Sequence, residues 1–210
     1  MIAKYVAPSL LALGIFSLIG CSAGQFEAGR QALLRGDSEA ALGYLSGAAE
    51  QSPNHVNVIE DYRESIWTYL GRAQYETKRY QEARRSLEKA VAANRDDGMA
   101  LLYLGLVEMR TGDSGEGAKH IGSGLKSLED WIEYMNRTRP FQAFWDPIGV
   151  IRKQIDQGLQ MLGARDFNRD QLISTAESVG KAFEEELDKV REDERRQLEI
   201  DNDGDDGSTK

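Results

Sequence analysis

Small residues return at fixed intervals through the first two thirds of this 210-residue chain, and that recurrence constrains the fold more than any other feature. Residues 64–97 read ESIWTYLGRAQYETKRYQEARRSLEKAVAANRDD. Gly71 and Ala83 within them are followed 34 residues later by Gly105 and Gly117. An earlier copy, residues 22–55, carries Gly29 and Ala41 in the same places, with Leu45, Ala48 and Pro53 aligned beyond them. A small residue on each of two antiparallel helices lets the helices approach closely, while Trp67, Leu70 and Leu87 fill the space around the contact. One such unit cannot bury a core alone, so three in tandem predict a stacked array of helix pairs.

Trp67, Leu70, Gly71, Tyr80, Ala83, Leu87 and Ala90 together resemble the signature of the tetratricopeptide repeat. The resemblance implies an all-α array of about three helical hairpins, 22–55, 64–97 and 98–131, within residues 21–131 and followed by C-terminal helices. In the third copy Leu101, Leu104, Gly105, Gly117, Ile121 and Gly124 match. Its second helix also holds Gly115 and Gly122; each interior glycine costs roughly 1 kcal/mol against alanine, so this half-repeat must lean on its neighbours. Gly36-Asp37 and Gly112-Asp113 mark turns between paired helices. The first two copies lie 42 residues apart, Ala41 to Ala83. The additional VNVIEDYR continues through Ile59, Tyr62, Ile66 and Tyr69 at helical spacing, which predicts a longer first helix in the second repeat.

Before the array, Lys4 precedes an interrupted apolar run from Val6 to Ile19, the form of an export signal and too short for a membrane span. Leu18-Ile19-Gly20-Cys21 resembles the lipobox of bacterial lipoproteins. That resemblance implies that residues 1–20 are a signal peptide and that Cys21 becomes an acylated N-terminus, carrying palmitate-type chains. Ser22, where retained relatives often have aspartate, implies a lipid-anchored protein of the outer membrane facing the periplasm. Cys21 is the single cysteine, so the chain forms no internal disulfide. About five residues separate Cys21 from the first predicted helix, a reach of roughly 17 Å, so the array is expected close to the membrane. The net charge of -9 becomes -10 once Lys4 is removed, which argues against a nucleic-acid partner.

Residues 132–199 read as a C-terminal helical region. KSLEDWIEYMNRTRP resembles a capping helix, with Leu128, Ile132 and Met135 on one face and Pro140 at its end. Phe141, Phe144 and Trp145 are expected to pack on the array, with Asp146 capping a helix that has Pro147 first and Ile148, Ile151, Ile155, Leu159 and Leu162 as its stripe. A last helix carries Ala176, Val179, Phe183, Leu187 and Val190 as a seam. Residues 200–210 have the composition of a disordered acidic tail.

Residues 166–177, DFNRDQLISTAE, resemble an EF-hand loop. The resemblance implies calcium ligands at Asp166, Asn168, Asp170, the Leu172 carbonyl, Ser174 and Glu177, although Gln171 replaces the turn glycine. The bland alternative is a capped helix start with Ser174 and Glu177 as a capping box. Two histidines, His55 and His120, stand in no catalytic or metal-binding spacing, which favours a non-enzymatic protein. Arrays of this kind bind peptides or partner helices on a concave face. Here the repeat pattern assigns it Phe26, Arg30, Leu33, Thr68, Arg72, Tyr75, Leu102, Leu106 and Met109. The expected function is a membrane-anchored interaction scaffold that assembles or regulates an envelope complex. The occupant of the groove is an amphipathic helix or peptide of an envelope protein, or the chain's own last helix. A calcium-responsive binding protein is the alternative.

Overall fold

The computed structural model describes residues 16–138 and 145–205. Most of the signal segment, Pro140, Phe141, Phe144 and the last five residues lie outside the described residues. Helices α1 (Phe16–Leu34) and α2 (Ser38–Gln51) form the first repeat. Helices α3 (Ile66–Glu76) and α4 (Tyr80–Ala93) form the second, and α5 (Gly98–Thr111) and α6 (Ser114–Thr138) the third. The first helix begins at Phe16 and passes Cys21 without the expected spacer.

The recurring glycines sit where the paired helices touch. A Cβ at Gly29 would lie 2.6 Å from Leu45 Cγ, at Gly71 2.5 Å from Leu87 Cγ, and at Gly105 2.6 Å from the Ile121 backbone nitrogen. Each pair is sixteen residues apart, so one packing contact recurs three times. Gly36 and Gly112 hold φ of 75° and 101° at the turns. Asp37 and Asp113 then cap α2 and α6 by accepting from the amides of Ala40 and Glu116. The second repeat turns without glycine, on Lys78 at φ 61°.

Between repeats one and two the structure corrects the helical expectation. VNVIEDYR folds with Glu64 and Ser65 as an antiparallel hairpin, β1 (Val56–Ile59) and β2 (Tyr62–Ser65), closed by Glu60-Asp61 with Glu60 at φ 50°. Ile59 and Tyr62 are partners across this two-residue turn, so their separation of three imitates a helical i, i+3 pair. The β-branched Val56, Val58 and Ile59 favour extended backbone. The alternation buries Asn57, Ile59, Tyr62 and Glu64 and turns Val56, Val58 and Arg63 outward.

The third repeat's second helix and the capping helix are one element. The 25 residues of α6 run through the expected boundary at 131/132, and Ile121, Leu125, Leu128, Ile132 and Met135 make one buried stripe. Helix α7 (Val150–Gly163) starts three residues later than Pro147. Its N-cap residue is Gly149 rather than Asp146, but the Asp146 carboxylate still serves the first turn from upstream, accepting from the amides of Ile151 and Arg152 at 3.0 Å each, while Ile148 is left exposed. Helix α8 (Arg169–Asp205) starts well before Ala176 and includes residues 201–205, assigned by composition to a solvated tail. Ion pairs such as Arg196 with Glu192 and Asp193 support its distal turns.

Apolar burial divides in two. One cluster joins α1, α2 and one face of α3 around Phe26, Leu45 and Tyr69. The larger one joins the hairpin, the remaining repeats, Trp145, α7 and α8. Where a glycine contact faces backbone, no side chain can yield. Gly105→Ala should therefore lower stability by about 1–3 kcal/mol despite its better helix propensity. Gly43→Ala, in open space on α2, should raise it by up to about 1 kcal/mol. Urea midpoints of the two variants check both signs.

Candidate functional site: a concave face closed by the C-terminal helix

Helices α1, α3 and α5 carry the residues that the repeat pattern assigns to a groove, and the structure brings most of them against α8, with Phe26 instead in the cluster of the first repeat. Leu102, Leu106 and Met109 are fully buried, in one cluster with Leu172, Ile173, Ala176, Val179, Phe183, Leu187 and Val190 of α8. Gly180 makes the close approach possible, since a Cβ there would lie 2.8 Å from Tyr103. Arg30 and Arg72 are also buried, as are Phe26, Thr68 and Tyr75. Leu33 alone of the nine remains half-buried, beside a cleft. Phe26 packs its ring against His55 and Tyr69. Thr68 donates from its hydroxyl to Asp97 at 2.7 Å, holding the capping carboxylate of α5 against α3. Of the two occupants considered, the concave face holds the chain's own helix.

Electrostatics fixes that helix in register. Arg72 Nη1 reaches Glu184 at 2.6 Å and Glu64 at 3.5 Å. Its guanidinium carbon stands 5.5 Å from the Tyr69 ring centroid and 5.3 Å from that of Tyr103. Arg30 pairs with Asp188 and Glu27 at 2.8 Å each and approaches Glu184 at 3.7 Å. Arg191 closes the circuit, reaching Glu27 at 2.9 Å and Asn57 at 2.7 Å, and Asn57 donates to the Tyr69 hydroxyl. Burial opposes charge on both groove arginines, and the carboxylates overcome it. Glu27 and Asp188 raise the pKa of Arg30, and Glu184 above all raises that of Arg72. Farther along α8, Tyr75 and Arg110 both donate to Glu177, and Arg169 donates to the Met109 carbonyl.

Several members of this network escape the repeat pattern. Glu64 and Asn57 face inward only because of the hairpin's two-residue alternation, the one sequence signal that could have placed them. Glu27, Glu184, Asp188 and Arg191 resemble the solvated charges around them. Gly180 carried a clue, a glycine among the apolar positions of a seam.

The calcium reading is corrected by geometry. Helix α8 begins at Arg169, capped by Asn168, whose side chain accepts from the Gln171 amide at 3.0 Å. Asp170, Leu172, Ser174 and Glu177 are therefore helical, and Glu177 is committed to Tyr75 and Arg110. Only Asp166 and Asn168 stay in the loop. The segment is a capped helix start here rather than an extended ion-binding loop. Among the described residues no group of three or more His, Cys, Asp or Glu side chains is placed to hold a metal ion. The cap is Asn168, which also displaces the Ser174 capping-box alternative.

Residues 68–121 match the family model of the tetratricopeptide repeat. No curated protein and no solved structure matches the chain significantly. The matched interval runs from α3 into α6 and includes the α3 and α5 residues that α8 covers. The fold is an all-α, tetratricopeptide-like helical repeat array with a hairpin inserted and a long helix returned along its inner face. Repeats of this type act in binding other proteins. No described helix is long and apolar enough to cross a membrane.

Two measurements test the network. Removing one partner of a buried pair strands the other, so Glu184→Ala should cost about 3–5 kcal/mol. Burial pushes the Glu64 carboxyl well above the ordinary carboxylate range, against the lowering effect of Arg72. The folded protein thus keeps the Glu64 proton at pH values where the unfolded chain has lost it. This contribution to stability is complete below the unfolded pKa and fades as pH rises through the raised folded value. Glu64→Gln should flatten that fall, so denaturation midpoints at acidic and alkaline pH should differ less in the variant than in the parent.

Proposed function

We propose that this chain is a membrane-anchored interaction scaffold of the bacterial cell envelope, which helps assemble or regulate a complex there. The observation that carries the reading is the repeat array itself, matched over residues 68–121 to a family whose repeats bind protein partners. An array of this type ordinarily works through its surface rather than through catalysis. Anchoring is supported by Leu18-Ile19-Gly20-Cys21 after a basic start and an apolar run. Two or more acyl chains on Cys21 hold the protein firmly, where one would hold it marginally. With α1 helical through Cys21, the first repeat sits against the lipid surface without a long tether. Ser22 supports attachment at the outer membrane, facing the periplasm.

Closure of the concave face moves the partner elsewhere. The buried leucines and arginines hold α8, and the partner meets surface that remains open, such as the hairpin face where Val56 and Val58 are exposed. Cys21→Ser should shift the protein from the membrane fraction to the soluble fraction, and mass spectrometry of the parent should find an acylated Cys21 as first residue. An unmodified thiol or an intact Met1 on membrane-bound protein overturns the anchor. Photo-crosslinking in cells from a scan of exposed positions, Val58 among them, should give a discrete adduct with another protein; no adduct from any position overturns the scaffold.

A further inference from the structure

Repeat one and α8 meet in a different way from the rest of the molecule. Among the described side chains, every buried apolar residue of α8 belongs to the larger cluster and none to the cluster of α1, α2 and α3. The α1–α8 junction is instead a set of charged contacts. Arg30 pairs with Asp188 at 2.8 Å and Arg191 with Glu27 at 2.9 Å, with Glu184 3.7 Å from Arg30 and Gln31 3.5 Å from Asp188. Beside these contacts the two parts diverge around a cleft of about 440 Å³, lined on one side by Leu33 and Gly36 and on the other by Ser174 and Lys181. Arg72 and Tyr103 also line it.

We propose that the first repeat is a hinged arm, pivoting on its apolar contact with α3 and latched to α8 by these ion pairs, so that unlatching widens the cleft onto the concave face. Three features favour a latch over a fused core. Apolar contacts such as Phe26 on Tyr69 are non-directional and survive a small rotation, whereas charged hydrogen bonds are lost within fractions of an ångström. The outer carboxylates are also accessible, Glu27 at 45% and Asp188 at 24% of their side-chain surface, so water can solvate them as the arm leaves. Arg30 Nη1 is buried without a hydrogen-bond partner in the closed arrangement, and opening would hydrate it. The inference rests on these contacts alone and stands whether or not Cys21 is acylated.

Native-state hydrogen exchange on the full chain tests it. In the unmodified protein, amides of residues 24–51 should open in a sub-global step at lower denaturant than those of α5 and α6. Asp188→Asn and Glu27→Gln keep shape and remove charge at partly exposed positions. Together they should speed exchange in residues 24–51 by on the order of tenfold, the loss expected for charge-assisted hydrogen bonds, and leave α5 and α6 unchanged. Equal acceleration across all three repeats, or none anywhere, overturns the hinge. A single unfolding step shared by residues 24–51 and α5–α6 in the unmodified protein overturns it independently of either variant.

Discussion

The buried pair between Arg72 and Glu184, 2.6 Å apart, is the contact on which the arrangement turns. Arg72 lies on the inner face of the central repeat, where a tetratricopeptide-like array would expose side chains to a partner. A guanidinium there can be taken out of water only if a carboxylate goes with it. Glu184 is that carboxylate, and the helix that brings it also brings Phe183 and Leu187 into the apolar cluster that holds Leu102 and Leu106. The ion pair adds little net stability when both partners are present, because desolvation offsets attraction. Its value is specificity, because sliding α8 along the groove would leave charges unpaired in a dry interior.

Around that pair the insertion between repeats one and two has a clear physical role. A two-stranded hairpin is marginal by itself. Packed under α8, it presents Glu64 to Arg72 and Asn57 to Arg191 and Tyr69, while Tyr62 meets Phe183 and Trp131 in an aromatic cluster. Trp145 joins that cluster and donates its indole N–H to Glu60 at the hairpin turn. Insertion and terminal helix thus stabilise each other, and the inner face becomes interior. The groove residues are thereby engaged within the chain itself.

Legibility in the sequence was uneven, for identifiable reasons. Gly29, Gly71 and Gly105 revealed the repeats because close helix packing admits few alternatives to glycine. Gly36-Asp37 and Gly112-Asp113 gave turns because positive φ and capping are local demands. The hairpin was hidden because Ile59 and Tyr62, three apart, satisfy a helix and a two-residue turn equally well. Asp166 to Glu177 imitated an ion-binding loop because helix starts and calcium loops both use Asp, Asn and Ser, and the structure starts its helix at Arg169.

What the amino-acid sequence determined by itself was the repeat array: its period, its paired helices, their touching points and the amphipathic character of the last helix. These follow from residue size, backbone preference and apolar periodicity, which act over a few turns. What only the tertiary structure decided was which surface the last helix covers, and hence that Arg30 and Arg72 are structural charges rather than a waiting binding site. A charge's role depends on what stands opposite it, and Glu184 stands opposite Arg72 from 112 residues away.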